Sequence, residues 1–95
     1  MIIVSQDKGK IINFDNMTRV YITFDEGDDD VCIRIETVDS LYEDLGYYKT
    51  EGRAKEVLQE IVRIYVLTEQ YKVEDERTRI KLMMEGILLY EMPKD

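Results

Sequence analysis

The clearest pattern of hydrophobic and polar residues lies in the stretch 50–67, TEGRAKEVLQEIVRIYVL. At about 100° per residue, seven of its apolar side chains fall within one arc of about 160° on a helical projection. The residues outside that arc include Lys55, Glu56, Gln59, Glu60 and Arg63. The residues of the arc are Ala54, Val57, Leu58, Ile61, Val62, Ile64 and Tyr65. Thr50 is a favourable N-cap, and Glu51 places a negative charge at the positive end of the helix dipole. The pattern therefore predicts a long amphipathic helix that begins here.

The first half of the chain has the two-residue period of β-strands. Two short apolar runs, 1–4 and 10–14, are separated by the turn-forming residues 6–9. In 17–24 and again in 31–37, every second residue is apolar. We expect each of these four segments to form an antiparallel strand.

The strands 17–24 and 31–37 also have a predicted register. When Phe24 lies opposite Val31, every inward residue of one strand meets an apolar residue of the other, and a shift by one residue would destroy this match. On the outer face the same register places a cation beside a carboxylate or an aromatic ring. These outer pairs are Arg19 with Glu36 and Tyr21 with Arg34.

The rest of the chain carries weaker signals. Residues 38–48 alternate loosely around Gly46, which suggests a fifth strand with a bulge or a close backbone approach. After a polar connection over 68–72, an acidic start and the stop at Gly86 predict a second, shorter helix, and 87–92 predicts a last strand. Val66 and Leu67 project onto the polar side of the first helix. We expect the second helix or another copy of the chain to cover them.

Together these elements predict a single α+β domain over residues 1–95. It consists of an N-terminal antiparallel sheet of four to five strands, a long central helix, a second shorter helix and a short C-terminal strand. A chain of this length has room for one hydrophobic core.

Composition excludes several classes of function. The net charge is −8, and five negative charges lie in the segment 25–30, which argues against direct DNA or RNA binding. One Cys and no His exclude an internal disulfide, the usual zinc sites and a Ser-His or Cys-His nucleophile pair. The absence of a signal peptide or an apolar span predicts a cytoplasmic protein without membrane contact.

The sequence also offers no catalytic constellation. The acidic segment 25–30 does not fit an EF-hand loop, which needs a Gly at its sixth position: counted from Asp25 that position is Asp30, and counted from Asp28 it is Ile33. A solvated hairpin tip is the better interpretation. The carboxylates show no contrast between a desolvated and a solvated member, which acid–base catalysis requires. No glycine pattern matches a phosphate loop. We therefore predict no catalytic residue, no metal site and no cofactor.

Arginine and tyrosine residues are the candidates for a binding site. Arg grips phosphate with two parallel hydrogen bonds, and aromatic rings stack on bases, so these residue types can hold a small nucleotide even in an acidic protein. The predicted ligand-binding residues are Arg19, Tyr21, Arg34, Tyr47, Tyr48, Arg53 and Arg79. Their spacing is not diagnostic, and the alternative interpretation is that they form ordinary surface ion pairs.

Three stretches, MIIVSQDKGKIINFDN, LGYYKTEGRAKEVLQEI and the terminal YEMP, resemble a widespread set of small proteins encoded by phages and prophages of Gram-positive bacteria. The resemblance implies a phage accessory protein in the cytoplasm of the bacterial host, and it transfers no site residues. One expected role is a host-defence antagonist, namely a homo-oligomeric sponge for a cyclic nucleotide immune signal. The alternatives are an acidic inhibitor that mimics nucleic acid and binds a host defence nuclease, and a structural accessory without a small ligand.

Overall fold

A computed structural model of the chain describes residues 1–24, 30–73, 76, 77, 80 and 89–95. The described part consists of strands and one long helix, which confirms the α+β class. In chain order the elements are β1 (Ile2–Val4), β2 (Ile11–Asn13), β3 (Met17–Phe24), β4 (Val31–Thr37), β5 (Tyr42–Tyr48), α1 (Glu51–Val73) and β6 (Leu89–Glu91). A single 3-10 turn, Phe14–Asn16, joins β2 to β3. No helix in these ranges combines the length and the apolar character needed to cross a membrane.

The prediction of one N-terminal sheet of four to five strands is wrong. The strands form two sheets of three, ordered β2-β1-β6 and β3-β4-β5, which we call the terminal sheet and the central sheet. The 3-10 turn ends the pairing after β2, and β6 occupies the second edge of β1 by parallel pairing, with Ile3 opposite Tyr90. This partner comes from the far end of the chain, so no local pattern reveals it.

The predicted register of β3 and β4 is confirmed. Phe24 lies opposite Val31, and the register places Arg19 opposite Glu36 and Tyr21 opposite Arg34. Because both faces of this hairpin are chemically matched, the alternation in the sequence was sufficient to define it.

The predicted fifth strand is also present, and Gly46 explains its irregularity. The register of β4 with β5 shifts between Ile33 and Arg34, and Gly46 lies opposite Ile33. A Cβ atom at position 46 would lie 3.0 Å from Cβ of Gln6, so the terminal sheet approaches β5 at this residue. Both features expected at Gly46, a bulge and a close approach, therefore occur together.

Helix α1 begins where its cap predicts. The backbone N–H of Arg53 donates to Oγ1 of Thr50 over 3.1 Å. The helix then continues to Val73. The prediction of a polar connection over 68–72 is therefore wrong, because these residues belong to α1. The Thr68 hydroxyl is buried and donates to the carbonyl of Ile64 over 2.8 Å, which lets a polar residue lie within the helix. The second predicted helix, 74–85, falls largely outside the described residues, of which 76, 77 and 80 are helical.

The core lies between α1 and the central sheet, with the terminal sheet closing one end. The buried positions of α1 are Ala54, Val57, Ile61, Ile64 and Thr68. They face a sheet surface formed by Val31, Ile33, Ile35, Leu45 and Tyr48. This stripe is narrower than predicted, since Val62 is 52% exposed and Tyr65 is 37% exposed. Val66, which projects outside the stripe, is 57% exposed. A three-stranded sheet is too narrow to cover the whole apolar arc of the helix.

Candidate functional site

The structure divides the predicted ligand-binding residues between two regions. Arg19, Tyr21 and Arg34 lie on the outer face of the central sheet, away from α1. Tyr48 and Arg53 lie near the amino end of α1. Tyr47 belongs to both regions, whereas Arg79 lies outside the described residues.

On the outer face, Arg19 is already paired. Its Nε donates to a carboxylate oxygen of Glu36 over 2.7 Å, and its guanidinium carbon lies 4.4 Å from the ring centre of Tyr21. The Glu36 carboxylate raises the pKa of Arg19 through this hydrogen bond. A cation held by its own carboxylate and ring is a structural pair, which matches the ion-pair interpretation of the sequence.

Arg34 forms a second and less exposed pair. Its Nε donates to Oδ1 of Asp44 over 2.6 Å, and its guanidinium lies 4.4 Å from the ring centre of Tyr42. The Tyr47 hydroxyl donates to Oδ2 of the same Asp44 over 2.6 Å. Sequence analysis missed Asp44 and Tyr42, because the bulge in β5 decides which of its residues reach Arg34.

We expect acid to weaken the fold partly through Asp44. Its hydrogen bond from Arg34 lowers the pKa of Asp44 below the ordinary value. A carboxylate with a depressed folded pKa stabilises the protein above its unfolded pKa, near pH 4, and loses that contribution as the pH falls through the folded pKa. Asp44→Asn should therefore flatten the acid limb of a urea-unfolding pH profile and cost about 1 kcal/mol at neutral pH.

Asp39→Asn provides the control for this measurement. Asp39 lies in the exposed turn between β4 and β5, where it has the same chemistry without the Arg34 partner. An acid limb that flattens equally in both variants would contradict the assignment to the Arg34–Asp44 pair.

Cys32 lies on the outer face, opposite Tyr47, and is completely buried. Burial raises the pKa of its thiol to about 12, so the thiol stays protonated at neutral pH. A protonated, inaccessible thiol is a packing group rather than a nucleophile.

The second region is an open cavity of about 430 Å³ at the amino end of α1. Its lining residues are Asp30, Tyr47, Tyr48, Lys49, Thr50, Arg53, Lys94 and Asp95. Strand β5 runs almost directly into α1, because only Lys49 and Thr50 separate the two elements. The sheet edge and the first turn of the helix therefore form adjacent walls. The backbone amides of a first helical turn lack partners within the helix and favour negative charge.

The segment 92–95 forms the third wall. It follows β6 and is attached to the body of the protein by backbone carbonyls. The Tyr48 hydroxyl donates to the carbonyl of Pro93 over 2.8 Å, the Gln6 amide to that of Lys94 over 2.8 Å, and Nε of Arg53 to that of Asp95 over 2.9 Å. These bonds place the Lys94 side chain at the same cavity as Lys49.

The two lysines differ from most other cations of the protein. Six side-chain cations in the described residues form ion pairs with carboxylates. They are Lys8, Lys10, Arg19, Arg34, Arg53 and Lys55. Within the same part of the chain, four cations have no carboxylate at ion-pair distance, namely Lys49, Arg63, Arg77 and Lys94. Of these, Lys49 and Lys94 line the cavity, together with Asp30 and Asp95. The cavity wall of this acidic protein thus carries two lysines that take no part in its ion pairs, beside two carboxylates.

Tyr48 contributes to this site from the core. It is 2% exposed, its ring packs with the central sheet, and burial raises the pKa of its hydroxyl to about 12. Tyr48 therefore forms part of the cavity wall, and its hydroxyl is bonded to the carbonyl of Pro93. Tyr47 is less buried than Tyr48. Lys94 is the residue that sequence analysis missed, because only the tertiary fold brings it to α1.

No protein-family model, curated protein or solved structure matches this chain. The fold and the site define an α+β protein with a mixed-charge, lysine-bearing cavity beside a helix amino terminus. The resemblance to phage and prophage proteins stays a prediction.

Proposed function

We propose that this chain is a non-enzymatic binding protein that holds a small nucleotide through its phosphate at the cavity beside α1. The observation that carries the proposal is the meeting of Lys49 and Lys94, both without a carboxylate partner in the described structure, at the first turn of α1. Six other side-chain cations of the described chain are engaged by the protein's own acids. Arg63 and Arg77 form no such pair within the described residues, but they do not line the cavity. Lys49 and Lys94 are therefore the cations that we propose for an external anion.

The walls supply the interactions that a nucleotide phosphate needs. The helix amino terminus favours an anion through its dipole and through the first-turn amides that Thr50 does not cap. The lysine ammonium groups add point charges that can approach phosphate oxygens. Tyr47 is half-buried and lines the cavity, and its aromatic ring is the group that we propose contacts a base. Asp30 and Asp95 limit the total positive charge, which favours a ligand of modest charge over a nucleic acid strand.

The phage resemblance gives this chemistry a biological role. A protein that antagonises host defence by sequestering a cyclic nucleotide signal needs only to bind the ligand. The cavity supports this role because its wall carries side chains that can bind a phosphate group. As a sponge, the protein would act as a homo-oligomer in the bacterial cytoplasm, which is the form we propose.

Isothermal titration calorimetry with cyclic di- and trinucleotides, linear nucleotides and inorganic phosphate tests the proposal. Lys49→Ala/Lys94→Ala should weaken nucleotide binding at least tenfold, since a hydrogen bond to a charged group contributes about 1.5 to 3 kcal/mol. The matched control is Lys8→Ala/Lys55→Ala, which removes the same charge from two exposed ion pairs. This control should bind with almost unchanged affinity.

Two results would reject the proposal. One is the absence of measurable heat with every ligand of the panel. The other is an equal loss of affinity in both double variants, which would show that only net charge matters. Chromatography of the recovered nucleotide should show an unaltered compound, because the function proposed is binding without turnover.

A further inference from the structure

Strand β3 is an open edge of the central sheet. It is eight residues long, and within the described ranges it pairs only with β4. Its sequence, MTRVYITF, has no acidic residue, no Gly and no Pro, and its one charge belongs to Arg19. Glu36 of the same protomer neutralises that charge. A long apolar strand with an unpaired edge is a ready template for another strand.

The other sheet edges have features that discourage such pairing. The edge of β5 carries two acidic residues, Glu43 and Asp44, and Gln6 covers it. The Gln6 backbone N–H donates to the carbonyl of Leu45 over 2.8 Å, and its side chain bonds both the N–H and the carbonyl of Tyr47. The edge strands of the terminal sheet, β2 and β6, have only three residues each. Among the described strands, β3 alone is long and has an edge that no other described strand pairs with.

The surface next to β3 is also apolar. Phe24, at the end of the strand, is 61% exposed. On α1, the Tyr65 ring contacts the Phe14 ring at 5.5 Å, so this flank of the helix lies on the side of the sheet where β3 begins. Val62 and Val66 continue the same flank, and each is more than half exposed.

We propose that a second copy of this chain pairs with β3 in antiparallel orientation. The two central sheets then form one continuous six-stranded sheet with both α1 helices on the same face. Such a contact is isologous, so the same surface serves both protomers.

The strand is complementary to itself in this arrangement. In the antiparallel register centred on Tyr21, both helices lie on one face, and the inward residues Val20 and Ile22 of one copy face Ile22 and Val20 of the other. With Tyr21 at the twofold axis, Arg19 faces Thr23 of the other copy, and with Val20 at the axis it faces Tyr21. No pair of like charges is formed within the strand, so two copies of an acidic chain can approach here without mutual repulsion.

This interface is independent of the proposed nucleotide cavity, because no residue of β3 lines that cavity. Light scattering without added ligand therefore tests it directly, and the wild-type chain should be a dimer. Tyr21→Lys/Thr23→Lys places like charges across the axis and should raise the dimer dissociation constant at least tenfold. The matched control, Val38→Lys/Leu41→Lys, adds the same charge at exposed positions between β4 and β5 and should remain dimeric.

A cross-linking experiment covers the case in which the lysine variant fails to fold. Tyr21→Cys should give a covalent dimer with a short bifunctional maleimide, whereas Leu41→Cys should not. The native Cys32 is fully buried and does not compete for the reagent.

Three outcomes would overturn the proposal. The first is a wild-type protein that stays monomeric at every concentration. Protection of the β3 amides from hydrogen exchange in such a monomer would show that the edge is covered by the same chain. The second is a dimer that tolerates the lysines at positions 21 and 23 while the variant stays folded. The third is equal cross-linking from positions 21 and 41.

Discussion

Ile33→Ala should lower the free energy of unfolding by about 3 to 4 kcal/mol, the upper part of the range for a buried Ile-to-Ala change. Ile33 is fully buried in the central strand of the central sheet. Its neighbours across the strands are Ile22 and Gly46, and a glycine has no side chain that can move into the cavity. Since a small domain has a total stability of about 5 to 15 kcal/mol, the loss would be a large fraction of it.

Urea unfolding followed by circular dichroism measures this change as a lower midpoint with an unaltered slope. The control is Ile11→Ala, which makes the same chemical change at a residue that is 76% exposed. It should cost less than about 0.5 kcal/mol. Equal losses in the two variants would show that Ile33 does not occupy the core position described.

Gln6→Ala should cost about 2 to 3 kcal/mol, because it leaves partly buried backbone groups without partners. The Gln6 side chain donates to the carbonyls of Tyr47 and Lys94 and accepts from the Tyr47 N–H, with distances of 2.7 to 2.8 Å. It thus connects the β1–β2 turn with β5 of the central sheet and with the segment that follows β6. We expect the loss in the same urea experiment.

Two further variants define the cause. Gln59→Ala removes the same side chain from an exposed position of α1 and should leave stability nearly unchanged. Gln6→Glu keeps the acceptor for the Tyr47 N–H but turns a carboxylate towards two carbonyl oxygens. It should therefore be at least as unstable as Gln6→Ala. A Gln6→Glu protein as stable as the wild type would contradict the bonding assigned to the side-chain amide.

The β3–β4 register and the start of α1 could be predicted because their signals are local. The hairpin has matched faces on both sides, and Thr50 with Glu51 marks the first turn of a helix whatever it packs against. The division into two sheets could not be predicted in this way. It depends on the pairing of β1 with β6, which lie at opposite ends of the described chain.

The width of the buried helix face and the composition of the cavity were also beyond local patterns. Val62 lies in the apolar arc of α1 but is exposed, because the burial of a helix residue depends on the width of the sheet beneath it. Tyr47 and Arg53 of the cavity could be predicted from their residue types alone. Lys94 enters the same site only through the backbone bonds that hold the C-terminal segment.

The parallel pairing of β1 with β6 also determines when the fold can be completed during translation. The strands β3, β4 and β5 and the helix α1 follow one another, so their contacts can form while synthesis continues. Strand β1 leaves the ribosome first but gains its second neighbour only when residues 89–91 emerge. A nascent chain stalled before that point would carry a terminal sheet without β6, and the unpaired edge of β1 would make it prone to aggregation.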